Sequence, residues 1–306
     1  MFATGLRTGK GNDYQGLRRK FANSQDFFQI MLTILEGVGG KFHMGKGAIG
    51  VFDSGIGGLT VLKEIMELLP GEDTIYLGDT ARVPYGNKSK ETVERYSLEI
   101  ASFLLDMGIK VLVVACNTAS ALALDLLKEK MPIPVIGVVE PGAKAAVEKT
   151  RSGVVGVIGT KATIKSRAYQ RAIALLDGKV KVIARPCPLF VPLVEEGWVD
   201  NPVARMTAQL YLGDLKRTDM DVLVLGCTHY PLLKGVIQEV LGGGVRLVDS
   251  AEATARGLKS LLAERGLMER RGRRGRARFL LTDVSPHFVR TGGAFLKRRL
   301  EVEPWR

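Results

Sequence analysis

From Gly50 onward, short apolar runs alternate with stretches of helical period. The runs are IGVF (49–52), TIYL (74–77), VLVVA (111–115) and PVIGVV (134–139), followed by VVGVI (154–158), VKVIA (180–184), VLVLG (222–226) and VRLV (245–248). Between them, LTVLKEIMELLP (59–70) carries apolar residues at helical spacing and stops at Pro70, while KETVERYSLEIASFLLDMG (90–108) stops at Gly108. This rhythm predicts an α/β chain built on parallel sheets. The second four runs repeat the first four at offsets of about 105 to 111 residues, the mark of an internal duplication. The expected fold is therefore two Rossmann-like domains related by duplication. In open α/β sheets ligands bind at the carboxyl ends of the strands, which places the active site in the cleft between the domains.

Two runs end in nearly the same phrase: VLVVACNTAS (111–120) and VLVLGCTHYP (222–231). Each passes from apolar β-formers to a small residue, a cysteine and then hydroxyl or amide side chains. If the two halves face each other, Cys116 and Cys227 project into one cleft from opposite sides. The opening segment, 1–47, shows no strand–helix rhythm. It reads as a disordered extension or a stretch ahead of the true start, with Met44 just before the first strand and FFQIMLTIL (27–35) able to form an amphipathic helix.

Composition keeps the picture simple. With 306 residues, 46% hydrophobic and 25% charged, the chain is long enough for two domains of ordinary size and has globular composition. No apolar run reaches the roughly 20 residues of a membrane span, and no secretory signal is recognisable. Three widely spaced cysteines make no disulfide framework, and no Cys/His spacing suits a structural zinc. Free thiols in a reducing cytoplasm fit best. The net charge of +12 changes less than it first suggests, because it sits at the ends, above all in RRGRRGRAR (270–278), and the body is close to neutral. Such a run reads as a solvated surface, with a weak polyanion-binding patch as the alternative.

Two opposed thiols suit a reaction with two faces: inverting a carbon that carries a hydrogen needs a base on one side and an acid on the other. A free thiol is mostly protonated at neutral pH, so each needs help from neighbours. His229, two residues past Cys227, can exchange a proton with it. For Cys116 the helper comes from GVFDSGIGGLT (50–60), where Asp53 and Ser54 precede a glycine-rich turn. The matching loop of the second half, GVIGTKATI (156–164), has Gly159 in place of Asp53, so the duplication is asymmetric: a carboxylate serves one thiol and an imidazole the other. Gly55 and Gly57 also resemble the start of a dinucleotide fingerprint, with Asp79 where a ribose-binding acid would sit. However, Thr60 occupies the third glycine position and Asp53 would repel a pyrophosphate; a helix N-terminus holding a small carboxylate is physically easier. Cys187, in RPCPLF, lacks polar companions and reads as structural.

Taken together, FDSGIGGLTVLKEI, YLGDTARVPYG, ACNTASALAL, CPLFVPLVEEG and LGCTHYPLL resemble the glutamate racemases of the aspartate/glutamate racemase superfamily. The likeness covers essentially 48–306, with five motifs in order. It implies cofactor-independent, two-base racemisation of L- and D-glutamate, supplying D-glutamate for peptidoglycan. It also implies catalytic roles for Cys116, Cys227, Asp53 and His229, and for Glu195, with Glu196 beside it leaving that register open. Asp53, Ser54, Tyr85, Gly86, Asn117, Thr118, Thr228 and His229 match substrate-holding positions. The resemblance further implies a first α/β domain of 48–141 with 250–306, a second of 142–249, and a homodimer. RFLLTDVSPHFVRTGGAFLKRRL (278–300) then supplies a last strand and helix to the first domain. Rival readings remain: the same fold acting on aspartate, a hydantoin or maleate; nucleic-acid binding through the basic ends; or a pyridoxal phosphate enzyme using Lys161 or Lys165.

Overall fold

In a computed structural model, which describes residues 47–269 and 272–305, every strand pairing is parallel. The expectations for the opening segment, and for Arg270 and Arg271 within the basic run, lie outside the described residues. The compact unit Met44–Arg306 holds two sheets. The first contains β1 (Ala48–Asp53), β2 (Thr74–Gly78), β3 (Ile109–Val114), β4 (Val135–Gly137), β9 (Ala277–Leu281) and β10 (Val302–Pro304), in the order β10-β9-β2-β1-β3-β4. The second contains β5 (Val154–Gly159), β6 (Lys181–Pro186), β7 (Val222–Gly226) and β8 (Arg246–Asp249), in the order β6-β5-β7-β8.

The duplication is explicit in these orders. In both sheets the first strand of the half lies between the second and third, and the fourth is outermost beside the third. The registers correspond as well: Phe52 stands opposite Val114, and Ile158 opposite Leu225. Cys116 and Cys227 are therefore equivalent positions, each two residues beyond its paired residue.

Strands covered on both faces need apolar residues at successive positions rather than at alternate ones, and β3 illustrates it. Val111 and Val113 enter one core with Leu59, Leu62 and Leu258, while Leu112 and Val114 enter another with Ile100, Leu104 and Leu127. In the second sheet Leu223 and Leu225 pack with Phe190 and Tyr230, and Val222 and Val224 with Ala143 and Ile173. The long helix Lys90–Asp106 starts at a Ser89 side chain that accepts from Thr92 N–H and is followed by Gly108 at φ +79°, a left-handed position that glycine fills without strain.

Two stretches differ from the sequence expectation. The run 134–139 is strand only to Gly137. The Val138 N–H donates to Ser120 Oγ (2.8 Å), and the helix Val139–Lys149 begins at the next residue. At the other end of the chain, β9 and the helix Pro286–Leu296 are joined by β10, whose three residues are too few to show a period. The basic run is partly structural: Arg273 pairs with Asp73 (2.6 Å), Arg276 N–H donates to the same carboxylate, and Arg278 pairs with Glu303 (2.7 Å). The Asp73 contacts fasten the returning segment beside β2, and the Arg278–Glu303 pair joins β9 to β10. Among the described residues, no helix is long and apolar enough to cross a membrane.

The chain crosses between the sheets twice. The helix Val139–Lys149 leads from β4 toward β5, and Ser250 lies between β8 and the helix Ala251–Glu264, which packs beside the helix Leu59–Leu68. Both sheets thus present their carboxyl ends to the same space.

Candidate active site

β1 delivers Asp53 to its carboxyl end, where the side chain is completely buried. Its Oδ2 accepts from Gly55 N–H (2.9 Å), and Tyr76 Oη donates to the Gly55 carbonyl (2.6 Å). The glycines that follow are required by close approach. A Cβ on Gly58 would lie 2.3 Å from Asp53 Cβ, and one on Gly57 would lie 2.4 Å from Thr228 Oγ1 of the opposite half. Thr228 Oγ1 donates across the cleft to Asp53 Oδ1 (3.2 Å). Burial raises the Asp53 pKa, opposed by the charge of His229 and by hydrogen bonds from Gly55, Gly58 and Thr228.

Cys116 follows β3 and stands at the start of the helix Asn117–Leu122. Its Sγ donates to Ser54 Oγ at 3.6 Å. Burial, reinforced by the negative charge of Asp53, pushes this thiol up to about 12, so it holds its proton at neutral pH. Cys227 follows β7 and has a different companion. Its Sγ lies 3.7 Å from His229 Nδ1, and His229 Nε2 lies 2.6 Å from Glu195 Oε1. Burial by itself would lower the imidazole, but its hydrogen bonds to Cys227 and Glu195 outweigh that and carry it well above the ordinary histidine value. A thiol, an imidazole and a carboxylate in series form the arrangement by which a sulfur nucleophile or base is activated.

Both thiols line one small cavity with Ser54, Val83, Pro84, Gly86, Asn117, Thr118, Thr160, Val191, Thr228 and His229. Its volume of about 10 Å³ is room for roughly one water molecule, so the cleft is closed. The site residues themselves stitch it shut: besides the Asp53–Thr228 bond, Thr118 Oγ1 meets Thr160 Oγ1 (3.0 Å) and Thr163 Oγ1 (3.2 Å).

Most residues singled out in the sequence converge here. Asp53 stands behind the cavity wall, and Glu195 stands behind His229. Glu196 is exposed, so the contact with the imidazole belongs to Glu195. Tyr85 is placed differently: its ring packs on Tyr96 and its hydroxyl donates to Asp79 (2.5 Å), leaving its neighbour Gly86 on the cavity wall. Asp79 is in turn held by Arg82 (2.7 Å), so the acid considered for a ribose anchors a loop instead. Lys161 and Lys165 are exposed, and Cys187 is fully buried in an apolar cluster. Sequence reasoning missed Thr160 and Thr163. The signal was present, because Thr160 stands where the first half has Ser54, one residue after the Asp53/Gly159 position.

With this geometry in hand, comparison with known proteins places the chain. A family model described as Asp/Glu/Hydantoin racemase matches residues 49–258. The chain is 59% identical to a glutamate racemase of Geobacter metallireducens over 253 residues, which cover 83% of this chain and 94% of that one. Among solved structures it is similar to a glutamate racemase from Bacillus anthracis (TM-score 0.82, 41% identity, 85% of this chain and 98% of that one covered). It is also similar to one from Francisella tularensis in complex with D-glutamate (TM-score 0.80, 40% identity, 85% and 97% covered).

Proposed function

The chain belongs to the Asp/Glu/hydantoin racemase family, and on that premise we propose that it interconverts L- and D-glutamate without a cofactor, by proton transfer between two thiols on opposite faces of the α-carbon. The observation that carries this reading is the pair of equivalent cysteines with unlike partners, both lining one cavity. A lone base would return the proton to the face it left; inversion needs a donor on the other face.

The resting cleft has a built-in direction. Cys116 is the protonated thiol, since burial and Asp53 hold its pKa at about 12. Cys227 takes the part of the base, with His229, whose charged form is favoured by Glu195, beside its sulfur as proton partner. For the enantiomer whose α-hydrogen faces Cys227, the thiolate takes that proton and the electron pair left on Cα spreads into the α-carboxylate. Cys116 then delivers its own proton to the opposite face. One C–H bond breaks and one forms, and the negative charge moves from the sulfur of Cys227 to that of Cys116. The other enantiomer follows the same path in reverse, from the state with Cys116 ionised.

Preorganised donors must stabilise the developing carbanion in a dry site. In this reading Ser54, Asn117, Thr118, Thr228, His229 and the backbone beside Gly86 hold the substrate, with Asp53 behind the cavity wall bonded to Thr228. Entry requires the cleft to open, because a cavity of about 10 Å³ excludes an amino acid. We assign the opening to two lobes, 48–141 with 250–306 and 142–249. The enzyme acts in the cytoplasm, supplies D-glutamate for peptidoglycan, and works as a homodimer; the exposed Leu189, Trp198, Val203, Met206 and Leu210 are the apolar surface that a partner would cover.

The test is racemisation of L-glutamate in D2O without added cofactor, following optical rotation together with α-deuterium in substrate and product. Loss of rotation with deuterium accumulating in the D-product is the expected result. Exchange with aspartate but not glutamate would overturn the substrate assignment. Racemisation that retains the substrate's own hydrogen would overturn the two-thiol mechanism.

A further inference from the structure

Asn117 lines the cavity between the thiols and is 2% exposed. Its two amide atoms are treated differently. Nδ2 donates to the Tyr169 hydroxyl at 2.8 Å, whereas Oδ1 is buried without a hydrogen-bond partner among the described residues. A buried acceptor left unpaired costs about 1–3 kcal/mol, which makes it a candidate to receive a donor from a ligand.

Tyr169 is itself unusually constrained. It is 1% exposed and sits in the helix Ala168–Leu176 of the second half, while Asn117 belongs to the first. Its hydroxyl lies 3.2 Å from where a Cβ on Gly142, at the first crossing, would be, and the same Cβ would meet Ser250, at the second crossing, at 3.1 Å. On another side, a Cβ on Gly226 would come within 3.0 Å of its ring, just before Cys227. The Asn117 amide stands with its nitrogen toward the tyrosine and its oxygen away from it.

We propose that Tyr169 is a positioning residue: by holding Nδ2 of Asn117 at the junction of the two crossings, it presents Oδ1 as an acceptor for the α-ammonium group of the amino-acid substrate. The inference rests on the racemase reading above. It makes Tyr169 a determinant of the preference for amino acids over the corresponding dicarboxylates, with no contact between Tyr169 and the reacting atoms.

Tyr169→Phe retains the ring and deletes the hydroxyl. The probes are D- and L-glutamate as substrates and glutarate, which lacks only the ammonium group, as a competitive inhibitor. In the variant, KM for both enantiomers should rise about five- to twentyfold, as loss of one hydrogen bond to a charged group implies, with kcat within about threefold and the inhibition constant of glutarate within about twofold. In an Asn117→Ala background the same change should add nothing, because its effect passes through the amide. Unchanged KM values, equal weakening of glutarate and glutamate, or full additivity with Asn117→Ala would each overturn the proposal, the second by showing a merely structural role. A folded wild-type enzyme that turns over neither enantiomer would instead sink the racemase reading, and this inference with it.

Discussion

Cys116 and Cys227 occupy the same place in two copies of one strand–loop–helix unit, yet their side chains meet different partners. The first is buried against a carboxylate and a hydroxyl, and its pKa is pushed up to about 12. The second touches an imidazole that is backed by another carboxylate. Position is duplicated; the partners are not. The difference traces to two substitutions between the halves, Asp53 against Gly159 and His229 against Thr118, and to Glu195, which is brought in by the helix Phe190–Glu195. Symmetric strand ends let two sulfurs line one cavity. Asymmetric partners are what the proposed division of base and acid rests on.

The most severe way to break the comparison is to remove either sulfur. Cys116→Ala and Cys227→Ala should each lower racemisation by at least about 10³-fold with the fold intact. Elimination of hydrogen halide from a halogenated glutamate, which needs a single base, should survive in one of the two. Racemisation within tenfold of wild type in either variant would remove that cysteine from the mechanism.

Replacing His229 with Asn strips the second thiol of its proton partner and should cost about 10²–10³-fold in kcat/KM. Because the equilibrium constant of a racemisation is one, that loss must be equal in both directions. The asymmetry is expected instead in the primary deuterium isotope effect, which should rise for the enantiomer whose α-hydrogen faces Cys227 and not for the other. Equal rises for both enantiomers would mean that the imidazole serves both sulfurs.

Glu195→Gln acts one step further out, and about tenfold in kcat/KM is expected, with Glu196→Gln within twofold of wild type. Glu195 is among the groups that raise the His229 pKa, so its loss should move the alkaline limb of the pH–rate profile to lower pH. An unmoved limb would place the carboxylate outside the relay.

The smallest effect concerns stability. A histidine whose folded pKa lies above its ordinary 6.5 stabilises the fold fully below that value, and the contribution is lost as pH rises through the folded pKa. The Glu195→Gln variant should therefore melt roughly 2–4 °C below wild type at pH 6, with the gap narrowing toward alkaline pH. A gap that widens with pH would have the sign wrong.

Several features are legible in the amino-acid sequence. The strand runs, the offset between the halves, the two cysteines and the pairing of His229 with Cys227 all lie within short windows, where apolar period and sequence neighbourhood carry the information. What escapes such windows depends on partners distant in the chain. The Tyr85 side chain cannot be assigned to core or cavity without knowing that Asp79 waits for its hydroxyl. Thr160 and Thr163 look like ordinary cap residues until Thr118 is brought against them. Glu195 and Glu196 differ only in which of them faces His229.

By itself, then, the amino-acid sequence determined the α/β rhythm, the duplication and the placing of two thiols at equivalent strand ends, because hydrophobic burial repeats locally and strand ends follow from it. Only the tertiary structure decided which carboxylate reaches the imidazole, and how closely the halves shut. Those outcomes turn on ångström-scale contacts between segments far apart in the chain, such as Thr228 to Asp53 and Tyr169 to Asn117. No local pattern encodes such a distance; it is set by the docking of one half against the other.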